Sequence, residues 1–231
     1  MRELRDRAGD VCADPRLDGV HAEIARYYTN KVTRHGATPL GVDWSCVPTQ
    51  ELRFVQLLKL CDFAAPFSLN DVGCGYGALL AYLARRHGPT PIDYLGIDLS
   101  AAMIRRARRL WRDHAACRFV QAAASPRKAD YSVASGVFNV RLDQPIQLWE
   151  RFVAQTLTQI HGTCRLGFAV NFMTPPSPGR PARPGLYQTG PERWGRWCEL
   201  ELGASVEVIA DYGMREFSLL IRRSASTGPD G

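Results

Sequence analysis

No Cys-x-x-Cys pair and no apolar run near the ~18 residues of a membrane span occur in this 231-residue chain. Its seven cysteines (Cys12, Cys46, Cys61, Cys74, Cys117, Cys164 and Cys198) are scattered, odd in number and without metal-ligand spacing. That pattern leads us to expect reduced thiols in a cytoplasmic protein, not disulfides or zinc. The first residues, Met1-Arg2-Glu3-Leu4-Arg5-Asp6-Arg7, lack the apolar core of a secretory signal. No histidine, cysteine or serine stands out as a nucleophile or base. What remains is a globular chain, 45% hydrophobic, of a length that suits one large domain with a small helical addition.

The formal net charge of +6 is carried by arginine. Arg105, Arg106, Arg108, Arg109 and Arg112 cluster around Trp111 and raise a nucleic-acid reading. They share their segment with an apolar stripe of Met103, Ile104, Ala107 and Leu110, so a solvated helix face is the simpler account.

The most informative segment is Leu69-Asn70-Asp71-Val72-Gly73-Cys74-Gly75-Tyr76-Gly77. A buried strand ends in a carboxylate, three glycines follow at alternate positions, and an apolar helix begins at Ala78. Glycine belongs where the backbone takes positive φ or where a ligand comes too close for a Cβ. Cys74 fits within the turn because its side chain is small. The third glycine lies two residues after the second, which departs from the nicotinamide fingerprint Gly-x-Gly-x-x-Gly. A carboxylate at Asp71 repels phosphate and suits an ammonium group. Downstream, Ile92 to Asp98 reads as a second buried strand ending in an acid, with Ser100 as N-cap of the next helix. An acid there, about 20 residues past the glycines, is placed to hold ribose hydroxyls.

This turn resembles the first motif of the class I S-adenosylmethionine (SAM) methyltransferases, acidic-x-Gly-x-Gly-x-Gly. The resemblance implies SAM as cofactor, cradled by Asp71, Gly73, Cys74, Gly75 and Gly77, with Asp98 on the ribose and Leu99 and Met103 beside the adenine. It covers about residues 65–222. Gln121, after the third strand, is expected to serve the adenine amino group, because Ala122-Ala123-Ala124 offers no side-chain acceptor. Ser135, Phe138 and Asn139 follow the fourth strand, at the place that faces the sulfonium and the acceptor in this family. The Asn/Asp-Pro-Pro-aromatic motif of nucleobase amino-methyltransferases is missing there, which lowers that reading.

Strands are expected near 67–72, 92–97, 118–122, 131–137, 164–170, 205–210 and 216–222, and helices near 77–87, 100–112, 145–161 and 191–201. This alternation predicts an α/β fold with a doubly wound, mostly parallel seven-stranded sheet. The last two strands are joined by only Ala210 to Arg215, which forces an antiparallel hairpin, also a family trait. Two helices, one near 18–35 and one from about Thr49 that carries Leu52, Val55, Leu57, Leu58 and Leu60 as its apolar residues, make residues 1–65 an N-terminal helical cap on a core at 66–222, with a frayed tail at 223–231. Residues 173–185 carry five prolines and no regular structure, as a lid or a surface connection would.

For chemistry, Asn139, Tyr28 and His35 are the catalytic candidates, and Tyr27, Asp43 and Trp44 close the pocket, with aromatic faces suited to a sulfonium. No metal is expected, since Asn171 and Asp143 are too thin a set for magnesium. Methyl transfer to a small metabolite in specialised metabolism leads among the functions. An alternative in the same family is cyclisation of SAM to azetidine-2-carboxylate with release of methylthioadenosine, which a compact pocket and Asn139 would suit. An RNA methyltransferase and a non-catalytic SAM sensor are lesser alternatives.

Overall fold

In the segment Phe67–Val72, Phe67 and Leu69 point to one face and Val72 to the other, and each face meets its own layer of helices. In the computed structural model, which describes residues 15–88, 90–176, 179, 181 and 183–224, this segment is strand β1, central in a seven-stranded sheet. The charged N-terminal residues, Cys12 and the end of the expected tail lie outside the described residues, as do residues 177, 178, 180 and 182 of the proline-rich segment.

In chain order the elements are helix α1 (Pro15–His35), helix α2 (Val47–Leu57), β1 (Phe67–Val72), helix α3 (Ala78–Arg86), strand β2 (Ile92–Asp98), helix α4 (Ala101–Leu110), strand β3 (Cys117–Gln121) and strand β4 (Ala129–Ala134). Helix α5 (Ile146–Gly162), strand β5 (Cys164–Met173), helix α6 (Pro191–Leu202), strand β6 (Ala204–Ile209) and strand β7 (Glu216–Arg223) follow. The sheet order is β3-β2-β1-β4-β5-β7-β6. β7 runs antiparallel to both neighbours, so the sheet is otherwise parallel. The doubly wound sheet with one reversed strand is thus the one expected.

Two apolar layers cover it. Leu17, Val20 and Ile24 of α1 join Phe152, Val153 and Leu157 of α5 and Trp194 of α6 against one face. Phe54 and Leu57 of α2, Leu79 and Leu83 of α3, and Ile104 and Ala107 of α4 pack on the other. A short connection, residues 122–128, joins β3 to β4 where a helix would complete the alternation. Helix α1 contributes to the same apolar cluster as Val72, Leu95 and Ile97.

Three expectations are corrected. β4 ends at Ala134, not 137, because Gly136 turns to φ 76°. Leu110, expected in the packed stripe of α4, is 50% exposed, since the helix ends there and leaves it beyond the sheet. On α2, Val55 is exposed, and the buried residues are Gln50, Arg53, Phe54 and Leu57, spaced i, i+3, i+4 and i+7, together with Gln56, so that three of the five are polar. The arginines Arg105, Arg108, Arg109 and Arg112 of the α4 segment are exposed, and Arg108 donates twice to the Phe119 carbonyl.

Candidate functional site

Parallel strands of one sheet deliver the loops at their C-terminal ends to one edge. Here the adjacent tips of β2, β1 and β4 bring Asp98, the glycine turn and Ser135 to a single cavity of about 950 Å³, its open mouth included. The turn adopts the expected left-handed steps, with φ of 74° at Gly73, 56° at Gly75 and 87° at Gly77. It is tied to β2 by the Gly73 and Cys74 N–H groups, which donate to the Ile97 carbonyl at 2.8 and 3.0 Å.

Asp98 sits on the cavity floor. Its Oδ2 accepts from the Gly75 N–H at 2.9 Å and its Oδ1 from the Ser100 N–H at 2.8 Å. Each carboxylate oxygen has two acceptor positions, so one per oxygen stays open for a ligand hydroxyl pair. Burial pushes the carboxyl up to about 6, against the two backbone donors, which hold it down. Ser100 caps α4 by accepting from the Met103 N–H, and its hydroxyl meets Thr29 of α1 at 2.7 Å.

Asp71, at the tip of β1, is 3% exposed and lines the same cavity. Its Oδ2 accepts from the Tyr94 hydroxyl at 2.5 Å. Burial pushes this carboxyl up to about 7, the Tyr94 bond opposes that shift, and the charge of Asp98 adds to it. Among the described residues no cation pairs with the buried Asp71 or the half-buried Asp98, and a ligand carrying an ammonium and a sulfonium would supply positive charge there. Cys74 is no nucleophile, because burial pushes its thiol well above the ordinary range.

Of the expected residues, Tyr28, Trp44, Asp71, Gly73, Cys74, Gly75, Asp98, Leu99, Met103 and Ser135 line the cavity. Burial also raises the Tyr28 phenol strongly, so this hydroxyl stays protonated. Gly77 stands behind the wall, at the N-terminus of α3 and against Trp111. Gln121 is exposed and donates to the Leu99 carbonyl. Phe138 is stacked on Phe172 in the core, with ring centroids 5.1 Å apart. Asn139 is 3% exposed and does not line the cavity, and neither amide atom has a side-chain partner among the described residues. His35 ends α1, away from the lining. Tyr27 and Lys31 of α1 both bond Asp43, at 2.6 and 2.5 Å, and so fasten the loop that carries Trp44.

The structure adds residues that the sequence reading missed. α1 presents His21, Ile24, Ala25 and Tyr28 to the cavity, and α5 presents Phe152 and Thr156. His21 packs edge-on against Phe152, and burial lowers its pKa, so it is neutral near pH 7. Its i, i+3, i+4, i+7 spacing with Tyr28 was the available signal. Behind Trp44 lies a second missed group. Arg53 of α2 forms a two-bond pair with Glu216 of β7, both buried, at 2.7 and 2.5 Å. Glu216 also accepts from the Asn171 amide at 2.8 Å. Among the described residues no cluster of three His, Cys, Asp or Glu side chains is placed to hold a metal ion. No described helix is long and apolar enough to cross a membrane.

A parallel sheet with a reversed penultimate strand, a glycine turn and acids on adjacent strand tips defines a nucleoside-binding, methyltransferase-type α/β fold. Comparison with known proteins agrees. A methyltransferase-domain family profile matches residues 70–159. The chain is 40% identical over 168 residues to Rv1506c of Mycobacterium tuberculosis, a candidate methyltransferase by its name, covering 73% of this chain and all of that protein. The chain belongs to the class I SAM-dependent methyltransferases. Among solved structures, the DhpI–SAH complex superposes with a TM-score of 0.60 at 16% identity, over 90% of this chain and 98% of that one. Magnesium protoporphyrin IX methyltransferase of Synechocystis PCC 6803 with bound SAM gives a TM-score of 0.54 at 17% identity, over 77% and 79% of the two chains. These two likenesses concern the fold.

Proposed function

We propose that this chain binds SAM across the tips of β2 and β1 and transfers its methyl group to a small metabolite, as a cytoplasmic enzyme of specialised metabolism. One observation carries the reading: two carboxylates, the buried Asp71 and the half-buried Asp98, face one cavity from adjacent strand tips around the glycine turn. Asp98 holds the ribose hydroxyls through its open acceptor positions, and Asp71 receives the ammonium of the amino-acid end. Leu99, Met103 and Ala122 supply the apolar surface for the base. The SAH bound in the DhpI structure and the SAM bound in the magnesium protoporphyrin IX methyltransferase structure support SAM as the ligand.

Bound there, SAM supplies an activated methyl with its own leaving group. The protein contributes alignment and exclusion of water, and a strong base is not required of it. Tyr28, Trp44, Phe54 and Phe152 furnish walls that keep water out.

The test is mass spectrometry of the products formed from SAM, with and without a second substrate. S-adenosylhomocysteine (SAH) that appears only with an acceptor supports methyl transfer. Methylthioadenosine formed from SAM alone would make the enzyme a SAM cyclase instead.

A further inference from the structure

We propose that Arg53 is a positioning residue that fixes the cavity wall facing the transferable methyl group. The proposal rests on the SAM reading above and deepens it, by naming what separates the sulfonium from its thioether product.

The order of strand tips sets the geometry. Neighbouring strands lie about 4.8 Å apart, so the tips of β2, β1 and β4 span about 10 Å of cavity floor. With the ribose at Asp98 and the amino-acid end at Asp71, the flank left open beside the sulfur is the β4 tip. Gly136 and Trp44 form the wall there. They touch so closely that a Cβ on Gly136 would lie 2.2 Å from Trp44 Cζ2, and φ at Gly136 is 76°.

Both halves of this wall return to Arg53. Its guanidinium carbon lies 3.6 Å from the centroid of the Trp44 ring. Its Nε and Nη2 donate to Glu216, and its Nη1 donates to the Thr49 carbonyl at 2.7 Å. Glu216 Oε2 accepts from Asn171 Nδ2 at 2.8 Å, and Asn171 Oδ1 accepts from the Gly136 N–H at 2.7 Å. The contacts close a ring from Trp44 through Arg53, Glu216 and Asn171 to Gly136 and back to Trp44. Arg53, Glu216 and Asn171 are 5%, 4% and 0% exposed, and none of the three lines the cavity. They act through the two residues that do. A planar fork that stacks on an indole while binding a carboxylate is a property of arginine that lysine lacks.

The experiment is calorimetry of SAM and of SAH on the full chain freed of bound ligand. It compares wild type, Arg53→Lys, Trp44→Leu and the double variant. We expect Arg53→Lys to weaken SAM binding about tenfold and SAH binding less than about twofold, because only the wall around the charged methyl is disturbed. Trp44→Leu should show the same selective loss, and the double variant no further loss. Equal losses for the two ligands, additive losses or no change would overturn the proposal, since a purely structural role lowers both affinities together. If Arg53→Lys does not fold, Trp44→Leu decides alone on the same SAM-against-SAH criterion, because its ring lies outside the buried ion pair. Wild type that binds neither ligand would defeat the SAM reading itself and this proposal with it.

Discussion

Gly75 and Asp98 stand 23 residues apart in sequence and are joined by one hydrogen bond, from the Gly75 N–H to Asp98 Oδ2 at 2.9 Å. The bond locks the glycine turn of one strand tip to the acid of the next. It also fixes the orientation of the Asp98 carboxylate before any ligand arrives, and such preorganisation lowers the cost of binding.

Burial leaves Asp71 at about 7 and Asp98 at about 6, against an ordinary carboxyl value of 3.8. An acid whose folded pKa is raised keeps its proton in the folded state after the unfolded chain has released it. Its contribution to stability is therefore present at low pH and lost as pH rises from about 4 to about 7. His21, His87 and His161, lowered by burial, act on stability in the opposite direction. The acid's part is thus read as a difference. Thermal unfolding should show Asp71→Asn gaining on wild type as pH rises through that window. SAM affinity of wild type should rise over the same range.

Tyr94→Phe removes the hydroxyl that bonds Asp71 at 2.5 Å, a bond that holds the Asp71 carboxyl down. The midpoint of pH-dependent SAM binding should move to higher pH. Loss of one buried hydrogen bond should cost about 1–2 kcal/mol in urea denaturation.

Gly73→Ala meets two obstacles, a φ of 74° and a Cβ that would lie 2.5 Å from Val137 Cγ2. We expect a loss of about 1–3 kcal/mol in stability and a weaker SAM complex, because both the strained turn and the β4 loop must shift. Denaturation and calorimetry on the same preparation check both.

Phe172 supplies the contrast. Fully buried, it stacks on Phe138, Trp194 and Phe217 at 5.1, 6.1 and 5.6 Å, in the core behind the cavity. Phe172→Ala should cost about 3–5 kcal/mol in denaturant, as large cavities do. Its SAM affinity, measured well below the unfolding midpoint, should stay close to that of wild type.

The elements that sequence discloses are those with local signals. The glycines at 73, 75 and 77 and the apolar run before them need only neighbouring residues to be read, and the strand and helix positions follow from the period of their apolar side chains. The six-residue connection before β7 was enough to require a reversed strand. The wall behind Trp44 had no such signal. Arg53 and Glu216 are 163 residues apart, and each alone looks like an ordinary surface charge. Only the polar members of α2's buried face, Gln50 and Arg53 at i and i+3 with Phe54, hinted at it. Gln121 stands outside the cavity because the end of β3 is exposed and offers its amide to the Leu99 carbonyl.

The central claim is a nucleoside sugar held by the Asp98 side chain. Its most direct test is titration calorimetry of SAM into ligand-free wild type and Asp98→Ala, with circular dichroism to confirm that both are folded. Loss of two charge-assisted hydrogen bonds predicts a Kd about 100-fold weaker for the variant. A folded Asp98→Ala protein that binds SAM as tightly as wild type would contradict the account.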